Sequence, residues 1–269
     1  MSALQTPLRY LLILCLLFNF SCKDTPKTTT TSASEPKANV NNPAFRQKTV
    51  EKKIGDCGEG SDCLEVTATY PILSGVKAEI QEKINNDIME EVIASMEIEQ
   101  EVKPGPFAID SATQQWVEAY QEYLNEDLQY RVAMTFQLDG KGSIYKHYAV
   151  TELPVSTYTG GAHPNYLSLF SNYNLNTGAL IEMEDIISDS IAFKKVVEKA
   201  FKQAVEKKEG DLDMSLYFWD KPFYLPANYA ITEKGLYFVY NPYEVAPYAF
   251  GLTAFTVAYK DLEGLVKLP

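Results

Sequence analysis

The chain has 269 residues, of which 24 are Lys or Arg and 36 are Asp or Glu, for a formal net charge of −12. A field of that sign repels nucleic acid and anionic lipid and favours basic partners, and it also keeps an exported protein soluble. The roughly 220 residues left after an N-terminal leader and linker suffice for one large domain or two small ones.

Residues 1–21 read as a secretory signal, with Arg9 followed by the apolar run Tyr10 to Phe18, too short to span a bilayer. The Ser21-Cys22 junction resembles a bacterial lipobox, in which Cys22 becomes the lipid-modified first residue of the mature chain. Asn19 and Phe20 depart from the usual upstream pattern, as in the looser boxes of Bacteroidetes-type lipoproteins. Residues 22–45 then form a Thr-, Ser-, Pro-, Asn- and Lys-rich tether with little to bury. As a flexible chain it reaches about 25–30 Å. The expected location is the cell envelope, with the lipid as the sole membrane contact, on the periplasmic or surface face of an outer membrane.

With Cys15 in the leader and Cys22 lipidated, Cys57 and Cys63 in "DCGEGSDC" remain and are expected to form a disulfide. A metal there would need two further ligands, and no histidine lies near.

"CLEVTATYPIL" alternates Leu64, Val66, Ala68 and Tyr70, the pattern of a strand that Pro71 ends. Val76, Ile80, Ile84, Ile88, Val92 and Met96 recur every four residues and predict an amphipathic helix of about twenty residues. After the loop "VKPGPFAID", Ser111 and Gln114 fit a capping box for a second helix bearing Trp116, Val117, Tyr120 and Leu124 on one face. From Asp127 to Asp139 alternation predicts a half-buried strand, turned by "DGKG" into "SIYKHYAVTEL" as a hairpin, with His147 a sheet residue. "YLSLFSNYNL" reads as a strand turned by "NTG" into "ALIEM". A third helix is expected from Ile191 to Glu206, then three short strands broken by Glu233-Lys234-Gly235 and by the Pro242 to Gly251 loop. This order predicts an α+β fold of mainly antiparallel sheets with helices packed on one face, in two subdomains, 46–126 and 127–269.

Three stretches carry a family likeness: "YTGGAHP" at 158–164 followed by "NYNLNTGALIEMEDII" at 172–187; "YAITEKGLYFVYNPYEVAPYAFG" at 229–251; and the "YP" with its helix in the first half. Together they resemble a bacterial envelope family found as the extracellular part of the anti-sigma factor RsiV and as the N-terminal part of the peptidoglycan deacetylase PdaC. The likeness spans about residues 60 to 265, and it makes 127–269 an RsiV C-terminal-like domain. It implies an α+β domain pair with a recognition surface, which in RsiV meets lysozyme. The partner implied here is a basic lysozyme-like protein or a peptidoglycan fragment.

Chemistry read from the residues is sparse. Two histidines cannot build a three-histidine zinc site, no H-E-x-x-H pair occurs, and no G-x-S-x-G elbow or Gly-rich phosphate loop is present. No catalytic residue, metal or cofactor is therefore assigned. Paired carboxylates could hydrolyse an envelope polysaccharide, but with 36 acids their presence distinguishes nothing. Asp185 and Asp189 read as caps of helix or turn starts, and Asp211 and Asp213 as a solvated loop. His163 could be a base, or its ring could bond backbone across a tight loop. Gly160 and Gly161 supply a close turn or positive φ, and Pro164 holds the chain extended after it. Tyr240, Tyr243, Tyr248 and Phe250 flank Pro247 in a loop too aromatic to be idle, although some of these rings would cover the sheet's end. The candidate contact residues are Tyr158, Gly160, Gly161, His163, Pro164, Tyr243, Pro247 and Tyr248, with Trp219 and Phe223 under the same ambiguity. The expected role is non-enzymatic recognition; a polysaccharide hydrolase and a structural lipoprotein without ligand are the alternatives.

Overall fold

The computed structural model describes residues 42–58, 62–128, 130–209 and 214–268. The leader, Cys22 and most of the tether lie outside these, as do Asp211 and Asp213. Among the described residues no helix is long and apolar enough to cross a membrane.

Strand β1 (Ala44–Ile54) pairs antiparallel with β2 (Leu64–Ser74) along its whole length, Ala44 facing Ser74 and Ile54 facing Leu64. The connection is closed by the Cys57–Cys63 disulfide, with Cα atoms 5.3 Å apart. Replacing both cysteines by serine is expected to cost about 2 kcal/mol, the chain-entropy value for so small a ring. Urea unfolding under oxidising and reducing conditions checks this, since reduction should lower the stability of the parent and leave the variant unchanged.

Helices α1 (Ala78–Ser95) and α2 (Ala108–Asn125) carry the chain back to β3 (Met134–Asp139), which lies parallel to β2 with Leu64 beside Met134. The four-residue repeat of α1 is its buried face: Ile80, Ile84, Ile88, Val92 and Met96 all lie in the core. Trp116 on α2 donates its indole N–H to the Met96 carbonyl at 3.0 Å, which locks the end of α1 to α2. Strand β4 (Lys141–Tyr145) follows β3, β5 (Tyr148–Tyr158) pairs with both, and β6 (Asn165–Asn174) takes the other edge of β5. The chain continues through the single turn α3 (Met183–Ile186) and α4 (Ser190–Glu209) into a second sheet, β7 (Asn228–Ile231), β8 (Gly235–Tyr240) and β9 (Thr253–Ala258).

The result is an α+β fold with one six-stranded and one three-stranded sheet, antiparallel except for the β2–β3 pair. Two cores are visible. One runs from Leu64 to Leu175 under α1 and α2, and the other from Tyr148 to Leu262 around α4 and the small sheet, so β5 contributes to both. The described residues form one compact unit, and both cores are built within it.

Several local expectations are corrected. Strand β2 does not end at Pro71 but runs to Ser74. The Thr69 carbonyl accepts from the Gly140 N–H at 2.6 Å, so Pro71, two residues on, turns its nitrogen the same way but past the end of β3, where no donor is required. "DGKG" is not a hairpin turn either. Leu138 faces Val155 and Lys141 faces Glu152, so β3 and β4 form one strand broken only at Gly140. The glycines serve close approach: a side-chain carbon on Gly140 would lie 2.7 Å from Leu153, and one on Gly142 would lie 2.2 Å from the Phe45 ring. The hairpin instead turns at Lys146 and His147, with Lys146 at φ 54°, so His147 is a turn residue.

Helix α2 starts at Ala108 and not at a Ser111 cap; the Ser111 hydroxyl donates back to the Phe107 carbonyl. The half-buried strand begins only at Met134. Before it, Tyr130 is 79% exposed, and the chain is tied to the end of α2 by Arg131 bonding the Leu124 carbonyl and by the Tyr123 hydroxyl accepting from Val132 N–H. "ALIEM" contributes a single bridge, Tyr173 to Leu180, before α3 begins. The caps are as expected: Asp185 belongs to a capping box with Glu182, and Asp189 accepts from Ile191 and Ala192 N–H at the start of α4.

Where α1 meets β6, the Ser171 hydroxyl donates to Glu91 at 2.9 Å. Burial pushes the Glu91 carboxyl up, and the Ser171 bond pulls it partly back. Folding therefore favours the protonated acid, and its contribution to stability falls as pH rises from the ordinary glutamate range through the raised folded value. Glu91→Gln is expected to raise the melting midpoint by a few degrees at pH 7. Melts repeated at pH 4 should show the gain shrinking toward zero.

Candidate functional site

Two loops separated widely in sequence meet beyond the ends of β5 and β8. The first, between β5 and β6, opens at Gly160 and Gly161, whose φ angles of 108° and 107° lie where side chains are disfavoured. The Tyr158 hydroxyl donates to the Gly161 carbonyl at 3.2 Å and holds this turn. His163 follows, exposed, with Nδ1 2.9 Å from the Pro164 carbonyl.

The second loop, between β8 and β9, is fixed by Asn241. Its side-chain oxygen accepts from Ser168 N–H at 2.8 Å, and its amide donates to the Ser168 carbonyl, so the loop is fastened to the flank of β6. Glu244 folds back to accept from Asn241 N–H at 2.9 Å. Burial pushes the Glu244 carboxyl up, against the opposing pull of that backbone bond. Pro247 then starts a single turn, Tyr248–Phe250, which Gly251 ends at φ 64°. This turn aims Tyr248 at the first loop.

The rings assemble there. His163 and Tyr248 stack with centroids 3.6 Å apart and planes 15° from parallel. The Tyr248 hydroxyl donates to the Pro164 carbonyl at 2.7 Å. Tyr243 lies 6.3 Å from His163 and 5.6 Å from Tyr248, its hydroxyl 3.3 Å from His163 Nε2. Tyr166 abuts Tyr248 edge-on at 5.4 Å. The Pro164 carbonyl can only accept, so Nδ1 carries the N–H of that bond, and Nε2 lies within reach of the Tyr243 hydroxyl. His163 thus bonds backbone, one of its two expected roles, and both its nitrogens are engaged without an orienting carboxylate.

Of the expected residues, His163, Pro164, Tyr243 and Tyr248 are brought into direct contact. Gly160 and Gly161 shape the first loop, and Pro247 starts the turn of the second. Tyr158 takes part through its hydroxyl alone, outside the ring stack. Tyr240 is fully buried, its hydroxyl bonded to the Tyr224 carbonyl, and Phe223 is also in the core. Tyr243 is 56% exposed at φ 65°, a conformation that costs a bulky residue about 1–3 kcal/mol.

Sequence reasoning missed Tyr166, Asn241 and Glu244, and it did not foresee that the segment bearing Trp219 and Phe223 fastens to the second loop. Phe218 N–H donates to the Val245 carbonyl at 2.7 Å, and the Tyr224 hydroxyl donates to the Glu244 carbonyl at 2.6 Å. The "YNP" string at Tyr240 to Pro242 was the one available signal, since Asn beside Pro at a strand end favours a turn fastened by its own amide.

The carboxylates offer less. A groove of about 250 Å³ where α1 ends against α2 is lined by Glu97, Glu99, Glu118 and Glu122 beside Trp116 and Thr159. All four acids are exposed, so no difference in burial separates an acid from a base. Among the described residues no group of three His, Cys, Asp or Glu side chains is placed to hold a metal ion.

Residues 184–260, from α3 into the turn after β9, match a family described as a protein of unknown function, DUF3298. Two solved structures are similar over most of the chain. A DUF3298 family protein from Pseudomonas aeruginosa PAO1 has a TM-score of 0.65 at 18% identity, covering 85% of this chain and 96% of its own. A DUF3298 family member from Bacteroides fragilis NCTC 9343 has a TM-score of 0.63 at 18% identity, covering 86% and 96% respectively. At that identity the likeness establishes a shared fold. No curated protein matches the chain.

Proposed function

We propose that this is a lipid-anchored protein of the bacterial cell envelope that recognises a partner without catalysing a reaction, using the face formed by His163, Tyr243 and Tyr248. The observation that carries this reading is the ring cluster itself. Two loops far apart in the chain are fastened by backbone bonds so that aromatic rings meet at the surface, and one of them, Tyr243, is held there at a conformational cost. Rigid aromatic side chains with polar tips supply contact area at little entropic cost.

The partner is a basic lysozyme-like protein or a peptidoglycan fragment. The net charge of −12 suits the former, and stacked rings suit the latter. The RsiV- and PdaC-like segments supply the envelope setting, and the lipobox-like Cys22 supplies the anchor. The exposed acids of the groove give the hydrolase alternative no observation of its own.

Calorimetric titration of residues 38–269 with a lysozyme and with soluble muropeptides tests the reading. Saturable binding to one of them is expected, weakened about tenfold or more by Tyr243→Ala with Tyr248→Ala. Absence of binding to both, or binding untouched by the double variant, would sink it.

A further inference from the structure

Beside the ring cluster lies a segment that the geometry above does not require. Phe218, Trp219 and Asp220 have φ angles of 63°, 52° and 61°, three consecutive left-handed residues with no glycine among them. Each such residue costs on the order of 1–2 kcal/mol, because Cβ crowds the following carbonyl. The turn is fastened where it begins. The Phe218 ring is buried, with Phe201 at 5.1 Å, Phe223 at 5.2 Å and Tyr240 at 5.7 Å, and its N–H is bonded to the Val245 carbonyl. Lys221 N–H closes the turn onto the Phe218 carbonyl at 2.8 Å.

The next side chain, Trp219, stands 48% exposed. Core formation accounts for Phe218, but it does not account for an indole displayed to water in a disfavoured conformation. Asp220 and Lys221 follow it in the chain, both exposed, and the Val245 carbonyl that anchors the turn belongs to the loop bearing Tyr243 and Tyr248.

We propose that Trp219 is a stacking platform for a pyranose ring of a glycan chain. This inference rests on reading the adjacent loop as a recognition surface and names its ligand class as saccharide. One face of a pyranose presents C–H bonds, slightly positive and apolar, which match the electron-rich face of an indole. Its hydroxyls project around the rim, where the Asp220 carboxylate accepts and the Lys221 ammonium donates. An indole fixed at the crest of a rigid turn loses little freedom on binding, which favours a flat ligand held by few contacts.

The test uses the chain's own fluorescence. There are two tryptophans, and Trp116 is 8% exposed with its N–H bonded to Met96 and lines the acidic groove, so a ligand-dependent change in emission that Trp219→Phe abolishes reports Trp219. Residues 38–269 are titrated with the N-acetylglucosamine tetramer and with a lysozyme. Saturable quenching or a blue shift with the saccharide is expected. In the variants, which lack the reporting indole, saccharide binding is followed by calorimetry: Trp219→Ala should weaken it about tenfold or more, and Trp219→Phe should keep it within about threefold. Trp219→Gly, free of the backbone penalty, should melt no lower than the parent while losing the saccharide. Saccharide binding unchanged in Trp219→Ala, or none in the parent, overturns the inference. If lysozyme then still binds, only the ligand class falls; if neither binds, the recognition reading falls with it.

Discussion

Phe201→Ala is expected to destabilise the protein by about 3–5 kcal/mol, the usual range for deleting a buried phenylalanine. Phe201 is fully buried on the inner side of α4. Its ring meets Tyr217 at 5.4 Å, Phe218 at 5.1 Å, Phe223 at 5.8 Å, Tyr240 at 5.7 Å and Phe255 at 5.9 Å. Those partners come from the segment before β7, from β8 and from β9, so one side chain joins α4 to the small sheet and supports the Trp219 turn from beneath. Five neighbours fixed by three other elements cannot all move inward, and most of the cavity would remain. For a domain of this size the melting midpoint should fall by about 10 °C, with a weakened near-ultraviolet dichroism signal. A loss below about 1 kcal/mol would mean that the cluster collapses around the gap and is less rigid than its packing implies.

Asn172→Ala should cost about 3 kcal/mol for a different reason. Asn172 is 1% exposed, on β6. Its amide donates to the Tyr229 carbonyl at 2.9 Å, and its oxygen accepts from Ile231 N–H at 2.7 Å. It acts as a peptide group joining β6 to β7. Removing it orphans one buried donor and one buried acceptor, each costing about 1–3 kcal/mol. Asn172→Asp keeps the acceptor, loses the donor and buries a charge, so it should be worse than alanine at pH 7 and recover as the pH falls and the acid protonates. Urea unfolding at pH 7 and pH 4 checks both variants. Equal stability of the aspartate variant at the two pH values would contradict the assignment.

Asn228 and Asn241 extend the same device. Asn228 accepts from Phe170 N–H and donates to the Ser168 carbonyl, and Asn241 accepts from Ser168 N–H. Side-chain amides therefore occupy the edge of β6 that no strand pairs with, and they place the second loop over the first.

That device explains what the sequence could and could not convey. Helix α1 was legible because burial imposes a four-residue repeat on Ile80, Ile84, Ile88 and Val92, and the last three strands because turn residues bound short apolar runs. Both site loops were recognisable from Gly160-Gly161 and from their density of tyrosine. Their meeting was not, since it depends on Asn241 reaching Ser168, and an exposed-looking asparagine in a loop carries no mark of its partner. Strand β1 was hidden because it is an edge strand in which Arg46, Lys48, Lys52 and Lys53 break the apolar alternation. "DGKG" misled because glycines used for close approach look like glycines used for turning. The left-handed run at Phe218 to Asp220 has no local signal at all, since no glycine marks it.

The parallel pairing of β2 with β3 has a consequence for the order of events in a chain that emerges N-terminus first. The β1–β2 hairpin is complete at Ser74, but the edge of β2 that Met134 to Asp139 will occupy stays open until two helices have followed. A lone two-stranded hairpin is marginal in water. The small ring closed by Cys57 and Cys63 limits the registers such a hairpin can explore. In that interval the ring works as a guard on an unfinished sheet.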